Sequence, residues 1–110
     1  MKTVIIINNN HMGHDDRELG RKILGACLRK LPASGDLEAI VLYNSGVKLA
    51  VKGSELAGEL VQLHDKGVDI LACGTCVEHF DLQDRLVFDR ASNMDEILAT
   101  LHLADKVITL

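Results

Sequence analysis

The stretch Val68-Asp69-Ile70-Leu71-Ala72-Cys73-Gly74-Thr75-Cys76 decides how this chain is read. It begins as a short apolar run and ends in a Cys-x-x-Cys. Val68, Ile70 and Leu71 suit a buried strand, and Gly67 just before them suits a helix stop. Two thiols therefore fall where a strand ends and the chain turns. In open α/β sheets, ligands and chemistry collect at that carboxyl edge.

Outward from this stretch the pattern alternates. Upstream, Ser54 is placed to cap a helix running to about Lys66, with Leu56, Leu60 and Leu63 inward and Gly67 as its left-handed stop. Before that, Leu37 to Tyr43 reads as a strand, Asn44-Ser45-Gly46 as a turn, and Val47 to Gly53 as a loop carrying Lys48 and Lys52. At the start, Thr3 to Ile7 is a β-branched run typical of a strand buried on both faces. The polar loop Asn8 to His14 follows it. Asp15 with Glu18 then makes a capping-box-like start for a helix to about Leu31, ended by Pro32 and Gly35. Leu19, Ile23, Ala26 and Cys27 form one stripe of that helix, widened by Leu24, Leu28 and Leu31.

Downstream of Cys76, Val77 to Gln83 reads as one or two helical turns, and Leu86-Val87-Phe88 as a fourth strand. Asn93 with Glu96 opens a helix carrying Ile97, Leu98 and Leu101, and Lys106 to Leu110 closes as a fifth strand. This alternation predicts a single α/β domain over residues 1–110, a three-layer α/β/α arrangement around a mainly parallel five-stranded sheet with right-handed crossovers.

The totals agree with one packed domain. Apolar residues make up 47% and charged residues 25% of the 110, with two Phe, one Tyr and no Trp, so the core must be aliphatic. A net charge of −4 and no Lys/Arg cluster offer no footprint for nucleic acid. The apolar runs are too short to span a bilayer, and the first residues read as a strand rather than a signal peptide. A cytoplasmic protein with reduced thiols is the expectation, and three cysteines, an odd number, argue against a disulfide framework.

The candidate chemistry starts with Cys73 and Cys76. The thiolate is the reactive form, and a strand end facing a helix start would lower a thiol pKa from about 8.5 toward neutrality. Three functional readings follow: a persulfide carrier, a dithiol redox pair, or half of a metal site. The plain alternative is two small residues in a tight buried turn. Cys73, Cys76 and His79, with His11 or His14, would supply four soft ligands, but the spacing matches no strong zinc template. The loop after the first strand shares the carboxyl edge, so it reads either as a solvated loop with capping residues or as a site where Asn9, Asn10 and His11 would hydrogen-bond an anionic group, opposed by Asp15 and Asp16. Lys48 reads either as a solvated lysine or as a group that would hold the Cys73 thiolate or an incoming anion, and Gly74 and Thr75 would supply turn geometry and N–H donors. Cys27 reads as an inert thiol on an apolar stripe. There is no Gly-x-Gly-x-x-Gly and no Gly-x-x-x-x-Gly-Lys-Ser/Thr, so a phosphate-cradling nucleotide site is not expected; no motif calls for another cofactor.

At these residues the chain resembles the DsrE/DsrF-like sulfur-relay family. The segment Gly67 to Cys76 is similar to that family's strand followed by a sulfur-carrying Cys. Tyr43-Asn44-Ser45-Gly46-Val47-Lys48-Leu49-Ala50, Cys73-Gly74-Thr75-Cys76, Ser92-Asn93-Met94 and Ala104-Asp105-Lys106-Val107-Ile108 resemble words of the DsrE-like C-terminal domain of the YedF family, linked by name to selenium metabolism. The resemblance implies a sulfur or selenium carrier with Cys73 as the accepting thiol and Cys76 as the extra thiol of a Cys-Gly-Thr-Cys subgroup. It also implies a separate donor or acceptor protein, TusA-like or a desulfurase, and a homo-oligomer, a trimer or hexamer. A thioredoxin-like oxidoreductase fits poorly: Ala72 stands where an aromatic is usual, and Pro32 is the only proline.

Overall fold

The computed structural model describes residues 1–31 and 35–110. Four strands, β1 (Thr3–Ile7), β2 (Leu37–Leu42), β3 (Asp69–Ala72) and β4 (Lys106–Thr109), form one parallel sheet in the order β3-β2-β1-β4. Four α-helices lie between them: α1 (Arg17–Lys30), α2 (Ala57–Asp65), α3 (Gly74–His79) and α4 (Met94–Leu103). The segments Asn44–Ala50 and Gln83–Arg85 are 3-10 helices within the connections. The chain walks from β1 to β3 in one direction and then crosses back to β4. With right-handed crossovers this puts α1 and α2 side by side on one face and α4 on the other. Among the described residues no helix is long and apolar enough to cross a membrane.

The core is aliphatic. Val4, Ile40, Val41 and Leu42 of the two central strands are fully buried, with Leu24 of α1, Leu60 of α2 and Ile97 of α4 closing over them. The end of α2 and the start of α4 follow from their sequences, but the start of α2 does not: Ser54 is not its cap, its hydroxyl accepting instead from the Leu56 N–H at 3.3 Å ahead of a helix that begins at Ala57 with no side-chain cap. Gly67 adopts φ +99, so that its N–H reaches the His64 carbonyl and that of Val68 the Leu63 carbonyl, a Schellman closure. The side chain of Asn93 accepts from the Glu96 N–H at 2.9 Å.

Three further expectations are corrected. The sheet has four strands among the described residues, not five. Leu86-Val87-Phe88 is drawn onto the segment 50–52 instead: Leu86 bridges Val51 in antiparallel sense, and the Val87 N–H donates to the Ala50 carbonyl at 2.8 Å. Among the described residues the outer edge of β3 is met by a bridge between Cys73 and Ser92 rather than by a strand. The last strand, β4, lies beside β1 at the other edge. Second, α1 is capped by Asp16, whose side chain accepts from the Leu19 N–H, while Asp15 sits by His14 and Glu18 by Lys22. The capping box does not form. Third, the apolar face expected of α1 is only partly inward: Leu24 and Leu28 are buried together with Gly20 and Gly25, Cys27 and Leu31 are half-buried, and Leu19, Ile23 and Ala26 are exposed. Gly20 packs against the Met12 carbonyl where a Cβ would collide, so glycines set which face turns inward. The stop at Pro32 lies outside the described residues; Gly35, with φ +84, is a turn before β2.

Candidate functional site

Because the strands are parallel, their carboxyl ends share one edge, and the loops leaving β1, β2 and β3 meet there. Cys73 extends β3 by one residue. Its N–H donates to the Leu42 carbonyl at 3.0 Å, it bridges Ser92, and it then occupies the cap position of α3. Only 4% of Cys73 is exposed. The next residue is pressed against the same neighbour: a Cβ on Gly74 would stand 2.6 Å from the Ser92 carbonyl oxygen. One helical turn on, half-buried Cys76 comes within 3.4 Å of Cys73. Thr75 is exposed on the outside of that turn.

The loop after β2 supplies the donor. Asn44 is left-handed (φ +50), which Asn tolerates better than most residues. Its backbone N–H is thereby aimed at the Cys76 sulfur, 3.1 Å away. Burial pushes the Cys76 thiol above the ordinary value; the Asn44 N–H acts in the opposite sense, and the hydrogen bond with Cys73 and its charge add to the rise. The expected lowering is therefore not found at Cys76. A helix of six residues has little dipole to offer a thiol that is losing its water. Tyr43 is raised too, first by burial and then by the charges of Cys73 and Cys76.

The loop after β1 joins the same edge. The Asn10 N–H donates to the Ser45 hydroxyl at 3.2 Å, that hydroxyl lies 3.5 Å from the Asn9 side-chain oxygen, and the His11 Nδ1 stands 2.9 Å from the Asn10 side-chain oxygen. A continuous path thus runs from Asn9 and Asn10 through Ser45 and Asn44 to Cys76. Lys48 is held differently. Its ammonium lies 4.3 Å from the centroid of the Phe80 ring, at the end of α3, and bonds neither thiol. It lines a cleft of about 220 Å³ with Asn10, Arg21 and Glu55. His79 is exposed against Phe80. Among the described residues no three of His, Cys, Asp and Glu stand close enough to share a metal ion. Cys27, half-buried on α1, is raised by burial.

Sequence reasoning assigned no chemical role to Tyr43, Asn44 or Ser92. Ser92 is the buried polar residue behind the thiol turn: its N–H donates to the Ala72 carbonyl at 2.7 Å and its hydroxyl to Glu96, which also takes a two-pronged bond from Arg90. The Arg90 guanidinium, then the Ser92 hydroxyl, hold the Glu96 carboxyl below the usual range. The Ser92-Asn93-Met94 word was visible, but its helix-capping sense absorbed it. A donor such as the Asn44 N–H has no side-chain signature at all.

Comparison with known proteins places this edge in context. No curated protein matches the chain in sequence. Among solved structures, the YchN protein from E. coli shares 20% identity with a TM-score of 0.72, covering 100% of both chains. The protein of unknown function MTH1491 from Methanobacterium thermoautotrophicum shares 20% identity with a TM-score of 0.71, over 99% of this chain and 98% of that one. These likenesses are of fold. In sequence, the pattern of the DsrE/DsrF-like family matches residues 1–110. The chain therefore belongs to the DsrE/DsrF-like family, whose general association is with sulfur relay.

Proposed function

We propose that this chain is a sulfur (or selenium) carrier that holds the transferred atom as a persulfide on its Cys-x-x-Cys. The observation that carries the reading is the approach of Cys73 and Cys76 to 3.4 Å at the carboxyl edge, with an N–H donor on one of them. In the first step the Cys73 thiolate attacks the outer sulfur of a donor persulfide. A new S–S bond forms to Cys73, the donor's S–S bond breaks, and the donor leaves as a thiolate. Release has two routes. An acceptor thiolate attacks the outer sulfur and takes it, returning the Cys73 thiolate. Alternatively the Cys76 thiolate attacks the inner sulfur, hydrosulfide departs, and a Cys73–Cys76 disulfide remains for an external thiol to reduce. Gly74 and Thr75 give the turn its shape and N–H groups, and Asn9, Asn10, His11 and Lys48 line the approach of an anionic donor. The donor and acceptor are separate proteins of the TusA-like or desulfurase kind, in the cytoplasm. The affinity to YedF-type domains, and with it selenium, belongs to this proposal. So does a homo-oligomer, trimer or hexamer, supported by the exposed Leu19 and Ile23 of α1.

A second assignment has its own support: Cys76 is the more open thiol and the one with the Asn44 donor, which suits it to take the incoming sulfur. Intact mass after incubation with a sulfur-loaded cysteine desulfurase separates the two. A gain of one sulfur atom lost only in Cys73→Ser supports the first assignment, and loss only in Cys76→Ser reverses the roles. No adduct on any form, with thiols inert to alkylation, would overturn the carrier in favour of a partner-binding subunit with structural cysteines.

A further inference from the structure

The hydroxyl of Tyr43, the only tyrosine in the chain, is not explained by packing. Tyr43 follows β2 directly, its N–H donates to the Ile7 carbonyl, and the β2–β3 register that pairs Leu42 with Ala72 sets it beside Cys73. The next residue, Asn44, donates to Cys76. Both thiols act electrostatically on the Tyr43 phenol. Yet among the described residues the hydroxyl has one partner, the Met94 sulfur at 3.9 Å, a weak acceptor at long range on a side chain that is itself 47% exposed. The hydroxyl reaches toward Met94, two residues past the Ser92 that bridges Cys73, so a half-buried phenol stands at the edge that carries the two thiols with its proton nearly uncommitted. Burial and the two thiols keep it protonated, as a donor.

We propose that the Tyr43 hydroxyl donates a hydrogen bond to the outer sulfur of the persulfide, which makes it a catalytic residue of the transfer step. The inference rests on the carrier reading. A persulfide extends the side chain by one S–S bond of about 2.05 Å beyond the Cys73 or Cys76 sulfur. At neutral pH that outer sulfur carries negative charge and repels an approaching thiolate. The phenol draws off part of the charge. The acceptor thiolate then forms its bond to the outer sulfur, the electron pair of the breaking S–S bond returns to the inner sulfur, and the phenol keeps its proton throughout.

The test loads the protein with inorganic polysulfide, so it needs no donor protein, and follows the persulfide by intact mass. Two quantities are read: the pH dependence of persulfide alkylation and the rate of sulfur transfer to free cysteine. Tyr43→Phe is expected to move the alkylation midpoint to higher pH and to slow transfer about tenfold, the worth of one hydrogen bond to a charged group, with alkylation of the unloaded thiols little changed. Biosynthetic replacement of the single tyrosine by 3-fluorotyrosine, a stronger donor of the same shape, is expected to move the midpoint the other way. The proposal is overturned if neither replacement moves the midpoint, or if loaded and unloaded thiols change alike. Loading by polysulfide but not by a desulfurase would sink the carrier reading alone, and failure of both would sink the two together.

Discussion

At Gly74 the neighbour that a methyl group would strike is backbone, the Ser92 carbonyl oxygen, and that carbonyl belongs to the residue bridging Cys73. It cannot rotate away as a side chain would. Gly74→Ala is expected to cost about 1–3 kcal/mol in urea unfolding, the range for forcing atoms into a packed site. Gly58→Ala on α2, where a Cβ meets nothing within 4 Å, serves as the control and should be neutral or stabilising by up to about 1 kcal/mol. Equal losses at the two glycines would contradict this account. The second residue-scale consequence concerns Cys76. Its folded-state pKa lies above the unfolded one, chiefly through burial. The neutral thiol is then what the fold favours. Its contribution is fully present below the ordinary thiol value and is lost as pH rises through the folded value. Alkylation of Cys76 should therefore show a midpoint above that of free cysteine, and the urea midpoint should fall across the same alkaline window, with the fall reduced in Cys76→Ser. A Cys76 that alkylates faster than free cysteine at neutral pH would refute the direction.

Among the elements, the four sheet strands were legible because β-branched or alternating apolar runs admit little else, and α2 and α4 because Gly67 and Asn93 end and start them with side chains and backbone angles that sequence reveals. Leu86-Val87-Phe88 had the same apolar signature and is no sheet strand, since its backbone groups are taken by residues 50–52. Local pattern cannot tell which partner a strand-like run will find. Helix α1 misled for another reason: periodicity counts apolar side chains, whereas Gly20 and Gly25 are buried by having none. The candidate site divides the same way. Spacing disclosed the cysteine pair, while the Asn44 N–H and the Arg90–Glu96–Ser92 brace depend on how distant loops fold back. The outward stripe of α1 has a testable result. Leu19 is 56% and Ile23 44% exposed, one turn apart on one helix. If that face joins copies of the chain, Leu19→Lys with Ile23→Lys should lower the mass measured by light scattering while leaving the far-ultraviolet spectrum intact. An unchanged mass would exclude this face as the contact.

For the molecule as a whole, the strand order matters as much as the strands. β1 is central only because β4 lies on its outer side, and the two are joined by reciprocal bonds: the Lys2 N–H to the Asp105 carboxylate, and the Asp105 and Lys106 N–H groups to the Lys2 carbonyl. Lys2 and Asp105 are 103 residues apart in sequence. The short β4 contributes little apolar burial of its own, with three of its four residues exposed. Closing so long a loop for so small a reward places that pairing late in folding. During synthesis β1, β2 and β3 would all have left the ribosome while one flank of β1 still showed bare N–H and C=O groups. That flank, Thr3 to Ile7, is a β-branched run without a charge, the kind of edge that pairs with whatever strand arrives first. The nascent chain therefore has an interval, ended only by its own distant strand, in which crowding between neighbouring copies on one messenger decides between a folded domain and an aggregate.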